Sequence, residues 1–117
     1  MKLSAKKLSS KEVEEIILKK KNWILSCSNP LKIILFGSAA RGEMTDSSDV
    51  DLIVIYDNFS DLKKVQHDLF LKRSKDDWPH DLLILSESDH ERQCQKGGGA
   101  CWLAQTEGKV IYERKKS

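Results

Sequence analysis

At 117 residues the chain has room for one modest hydrophobic core and not for two. Apolar residues make up 39% and charged residues 32%, which excludes a disordered chain; 20 basic against 18 acidic residues leave a net charge of +2, too balanced for the footprint of a nucleic-acid binder. No apolar run approaches the roughly 20 residues that span a bilayer, and Met1–Lys7 is charged without a following apolar stretch, so a cytoplasmic protein without signal peptide is expected.

Ser9 followed by Glu12 reads as a capping box, and Val13, Ile16, Ile17, Ile24 and Cys27 recur at near-helical spacing. A first helix is predicted over 10–26, stopped by Asn29-Pro30. Its Lys19-Lys20-Lys21 run reads as a polar face. Leu31–Phe36 is apolar and β-branched and reads as a buried strand that ends at Gly37-Ser38. Ala39–Met44 looks like a short helical turn, and Thr45–Ser48 has loop chemistry.

Asp49–Tyr56 is a second strand, apolar on both faces at its end and therefore central in a sheet. Ser60 or Asp61 caps a second long helix to about Ser74, with Leu62, Val65, Leu69 and Phe70 inward. Trp78-Pro79 turns into a third strand, His80–Leu85. Ser88–Glu91 opens a short helix, Gly97-Gly98-Gly99 breaks it, and a further helix follows from Ala100 to Glu107. Gly108 ends that helix, and Lys109–Glu113 is the last strand. The pattern is α/β (α+β): a small mixed sheet with flanking helices in one domain spanning 1–117, its core at about 31–113.

Three carboxylates stand where apolar residues would be expected. Asp49 and Asp51 lie two apart at a strand start, on one face with backbones roughly 7 Å apart. Asp81 opens another apolar strand; if the strands are neighbours, the three converge. Two such charges 4 Å apart cost about 4 kcal/mol at an effective dielectric near 20. A divalent cation with hard oxygen ligands offsets that, Mg²⁺ when substrate phosphates share the coordination; the alternative is a shared proton. Gly37-Ser38 lets backbone approach a phosphate closely, and Arg41 one turn on is within reach of its oxygens. Together these residues form a phosphoryl-transfer pattern.

Gly37-Ser38, ten residues, then Asp49-x-Asp51 resembles the nucleotidyltransferase superfamily that contains DNA polymerase β. Gly37-Ser38-Ala39-Ala40-Arg41-Gly42 with Ser48-Asp49-Val50-Asp51-Leu52 resembles more closely the minimal nucleotidyltransferases, among them the antitoxins encoded beside HEPN-domain toxin ribonucleases. The resemblance runs from Leu31 to about Glu113, whose Glu107–Glu113 ending looks like the usual close of such domains. It implies the polymerase β-like fold. Asp49 and Asp51 would bind two Mg²⁺ ions. Asp81 would complete one metal site and help deprotonate the attacking hydroxyl. Gly37, Ser38 and Arg41 would hold ATP. The implied reaction is transfer of AMP to a tyrosine of a HEPN-type toxin, with which the chain would assemble. Pro79-His80 departs from the apolar residue usual before the third aspartate.

Two other functions fit the same residues: a non-catalytic module that neutralises its partner by covering it, and a small-molecule nucleotidyltransferase. Cys27, Cys94 and Cys101 are odd in number and irregularly spaced, so no disulfide framework is expected and the thiols read as buried. His90, Cys94 and Cys101 match no standard zinc spacing, and His67 reads as a surface or boundary residue. Trp23, Trp78 and Trp102 read as core or rim aromatics, one of them a candidate partner anchor. Gly97-Gly98-Gly99 reads as a plain flexible loop in preference to a mobile lid near the substrate.

Overall fold

The computed structural model describes residues 6–73, 78–97 and 107–115. Helix α1 spans Ser10–Cys27. Ser9 Oγ accepts the Glu12 N–H at 3.2 Å while the Glu12 carboxylate accepts the Ser9 N–H at 3.4 Å, the reciprocal cap the sequence calls for. Strand β1 (Lys32–Phe36) runs directly into the short helix α2 (Gly37–Arg41), which Gly42 ends in the left-handed conformation. Strand β2 (Val50–Tyr56) follows, then α3 (Leu62–Leu71), capped by Asp61, whose side chain accepts the Lys64 N–H. Strand β3 (His80–Ser86), helix α4 (Glu87–Gln95) and strand β4 (Lys109–Glu113) complete the described elements. The helix expected over 100–107 lies outside the described residues apart from Glu107, as do Gly98, Gly99, Cys101 and Trp102.

The four strands form one mixed sheet in the order β3-β2-β1-β4. β2 is interior, antiparallel to β1 and parallel to β3. β4 closes the other side antiparallel to β1, with a register shift at Ile33/Ile34. Because side chains alternate along a strand, the sheet has two apolar faces. Ile33, Leu35, Val50, Leu52, Val54 and Tyr56 pack with Ile24 and Leu69 beneath α1 and α3. Ile34, Ile53, Ile55 and Leu85 pack together on the face that α4 adjoins. A strap from the N-terminal segment pins the loop between α2 and β2. Leu8 N–H donates to Met44 O at 3.0 Å, and Asp46 N–H donates to Lys6 O at 2.9 Å.

Three expectations change. Lys20 is not on a solvated face: it is 1% exposed, lies over the Trp23 ring and bonds His80 Nδ1 at 2.7 Å. The near-helical repeat of α1 carries it into the seam with β3, where its stem packs among apolar groups. Phe70 is not an inner residue; it stands 71% exposed beside Leu71 at 64%, because Leu69 takes the inward position at the end of α3. Cys94 is disulfide-bonded and Cys27 is the free thiol among the described cysteines. Pairing depends on approach in space, which spacing along the chain does not report. A disulfide sulfur supplies no thiolate, so Cys94 is no zinc ligand here.

The Leu69 and Phe70 positions give a direct check. Leu69→Ala is expected to cost about 2–5 kcal/mol in chemical denaturation, the range for a buried Leu. Phe70→Ala is expected to stay within about 0.5 kcal/mol of the parent. Equal losses would show that Phe70 packs inward.

Candidate active site

Three strand ends meet at one edge of the sheet. Phe36, the last residue of β1, is the register partner of Asp51 on β2, and Asp51 is the register partner of Asp81 on β3. Residues in register on adjacent strands share a face, so the Asp51 and Asp81 side chains leave the sheet on the same side, with Ile53 and Leu83 next along. Asp49 sits just before β2 and is exposed, as is Asp81; Asp51 is half-buried.

The chain bearing Asp49 is tied to the chain bearing Asp81. Val50 N–H donates to Pro79 O at 3.0 Å, and the Trp78 indole N–H donates to Ser48 O at 2.7 Å. Trp78 therefore does more than fill a rim: it fixes the approach to both aspartates. Only the proximity of Ser48 to β3 reveals this, and no periodicity in the sequence encodes it. His80, which departs from the apolar pattern, faces α1 rather than solvent. It packs against Trp23 with ring centroids 5.0 Å apart and the ring planes tilted by 41°.

Gly37 opens α2 at φ +72°, and the Asp51 carboxylate occupies the space where a β-carbon would stand. A Cβ at that position would also come within 3.1 Å of Asp51 Cγ. Glycine is required here twice over, by dihedral and by contact. Ser38 follows half-buried, and no described residue engages its hydroxyl. Arg41 is exposed and engaged: its guanidinium donates to Glu43 and to Glu107, each at 3.0 Å. Those two carboxylates hold its pKa above the ordinary value, and its own charge restrains the pKa of Asp51. A phosphate contact by Arg41 would exchange one of these partners.

Burial raises the Asp51 pKa above the usual carboxylate value, and the charges of Asp81 and then Asp49 raise it further. These carboxylates are thus close enough to work against one another. Among the described residues, however, no three His, Cys, Asp or Glu side chains converge as a self-sufficient ion cage. Mg²⁺ keeps waters and shares substrate phosphates, needing one or two protein carboxylates rather than a closed cage. A hard, all-oxygen donor set with a half-buried, repelled carboxylate at its centre fits such an ion.

Gly37→Ala is expected to lower folding stability by at least about 1–2 kcal/mol from the left-handed dihedral alone. Adding Asp51→Ala should recover the clash component only, so a double-mutant cycle would be non-additive. The raised Asp51 pKa fixes a sign. Above the unfolded value of 3.8 the folded chain holds its proton longer than the unfolded chain, so this group's contribution falls as pH rises through the folded pKa. Without divalent ions, Asp51→Asn is expected to raise Tm at pH 7, with the gain shrinking toward pH 3. A Tm that drops at pH 7 would contradict the electrostatics described.

The chain matches the family model "Polymerase beta, Nucleotidyltransferase" over residues 12–117. It is similar to two Methanocaldococcus jannaschii proteins, each named "Putative protein adenylyltransferase". One is 44% identical over 46 residues, 39% of this chain and 46% of the relative. The other is 33% identical over 76 residues, 54% of this chain and 78% of the relative. The chain thus spans under half of the first relative's length. A crystal structure of a "putative nucleotidyltransferase" from Sulfolobus solfataricus superposes with a TM-score of 0.57 at 16% identity, covering 88% of this chain and 82% of that one, which is a likeness of fold. The aspartates at the strand ends and the glycine beneath them lie within the matched region, and the chain belongs to the polymerase β nucleotidyltransferase family.

Proposed function

We propose that this nucleotidyltransferase moves AMP from ATP to a protein hydroxyl, a tyrosine of a HEPN-type toxin partner in the cytoplasm, and thereby acts as its antitoxin. The observation that carries the catalytic part is the Asp51 carboxylate seated against Gly37, with Asp81 in register and Asp49 two residues back. A carboxylate whose pKa is raised by burial and by two neighbouring carboxylates opposes folding of the free chain and is suited to an ion shared with a triphosphate. The protein-acceptor part is supported by the printed names of the two relatives and by the minimal nucleotidyltransferase motif.

Asp49, Asp51 and Asp81 would hold Mg²⁺, whose charge polarises the triphosphate and neutralises the leaving group. Gly37 and Ser38 let the chain approach the phosphates, with the Ser38 hydroxyl as donor. Asp81, exposed at the end of the edge strand, receives the proton of the acceptor hydroxyl. The acceptor oxygen bonds the α-phosphorus as the bond to the bridging oxygen breaks. Pyrophosphate leaves with that electron pair. The Trp78 and Pro79 contacts keep the Asp49 and Asp81 segments in step, so that positioning is built into the backbone.

The test is incubation with α-labelled ATP and Mg²⁺, with and without a HEPN-domain protein, comparing the parent with Asp49→Ala/Asp51→Ala. Label on a partner tyrosine, lowered more than about 100-fold in the variant, is expected, since even groups that only orient metal ligands cost 10–100-fold. Silencing of the partner without label, equally well by the variant, would replace catalysis with simple covering of the partner.

A further inference from the structure

We propose that the protein acceptor docks in the groove between α1, α3 and β3, inserting one apolar side chain there and setting acidic residues against the basic outer stripe of α3. This rests on the protein-acceptor reading above and names the surface that reading requires.

The groove has a volume of about 150 Å³ and is lined by Trp23, Leu69, Phe70, Arg73, His80 and Leu82, among others. That is the size of cavity that takes a single ring-sized group. Phe70, which lines it, stands 71% exposed, and Leu71, the next residue of α3, is 64% exposed. Scattered exposed apolar residues need no explanation, but an exposed ring that lines an apolar groove extends that groove's apolar surface and marks a contact site.

The described charges on the helix stripe beside it are basic. Helical spacing sets Lys63, Gln66, His67, Phe70 and Arg73 along one stripe of α3 and just beyond its end. Asp68, the one acidic residue within α3, is half-buried on another side, in one row with Lys64 and Lys72. Lys19, exposed, lies one turn from Trp23 on α1. A partner complementary to this surface carries an apolar anchor ringed by carboxylates.

The position also suits transfer. His80 lines the groove and Asp81 follows it directly, on the opposite face of β3. β3 is the edge of the described sheet, so an acceptor seated in the groove passes around one strand to reach Asp81. The anchor and the reacting hydroxyl would then lie on either side of that edge.

The probe is a random copolymer of glutamate, alanine and tyrosine, which offers carboxylates, ring-sized anchors and acceptor hydroxyls together; its lysine, alanine and tyrosine counterpart is the control. Binding is read by fluorescence anisotropy without nucleotide, and AMP transfer by α-labelled ATP with Mg²⁺. The variants are Phe70→Asp/Leu71→Asp and Lys63→Glu/Arg73→Glu, all outside the proposed catalytic set. Binding to the acidic copolymer that weakens with salt, and a rise of about tenfold or more in its Kd and KM in both variants, is expected, with kcat and the KM for ATP unchanged. Equal binding to both copolymers, or variants that bind as the parent does, would overturn the docking site even if transfer occurs. A dimer of this chain abolished by Phe70→Asp/Leu71→Asp would also overturn it, assigning the patch to a second copy. Variant-sensitive binding without transfer to any acceptor would uphold the surface and count against the catalytic reading instead.

Discussion

The arrangement turns on one close approach. Asp51 leaves the central strand at its first turns and places its carboxylate over Gly37, where the neighbouring strand gives way to a helix. No other residue fits under it: any side chain would meet the carboxylate, and the backbone there is left-handed. From this contact follow the abrupt end of β1, the tight entry into α2 and the position of half-buried Ser38, whose hydroxyl no described residue engages. The strand pairing then brings Asp81 alongside without further design, because register partners on parallel strands share a face.

The cost of that arrangement is electrostatic. Half-burying Asp51 beside two more carboxylates raises its pKa and opposes folding of the free chain. The surrounding structure holds the site in place regardless. The Trp78 indole, the Pro79 carbonyl and the strap from Lys6 to Leu8 tie down the segments before β2 and β3. Below them the apolar faces of β2, fully buried at Val50, Leu52, Ile53 and Val54, supply the stability against which the strain is set. Sites that store unfavourable charge in this way gain when a ligand relieves it, which is how binding energy becomes catalysis.

The two sides of β3 have different characters. One carries Asp81; the other carries His80, packed against the Trp23 ring at a tilt and bonded to buried Lys20. Since β3 is an edge strand of the described sheet, the aspartate end and the groove lined by His80 are separated by a single strand rather than by the core. The opposite edge, β4, is short and interrupted in register, features that blunt an edge against further pairing.

Much of this was legible beforehand. Helical spacing and the Ser9/Glu12 box place α1, and the apolar runs place all four strands within a residue or two, since burial of whole faces writes itself into local pattern. Gly37, Asp49, Asp51 and Asp81 stand out in the sequence because each breaks an apolar pattern at a strand end. What the sequence by itself determined is therefore the described elements, and it singled out the candidate chemical groups, both from local pattern. The tertiary structure alone decided which groups meet. It buried Lys20 against His80, exposed Phe70, bonded Cys94 in a disulfide, occupied Arg41 with Glu43 and Glu107, and set Trp78 on Ser48. Each of these depends on contacts between residues distant in the chain or on competition for one inward position, and neither leaves a period for the sequence to display.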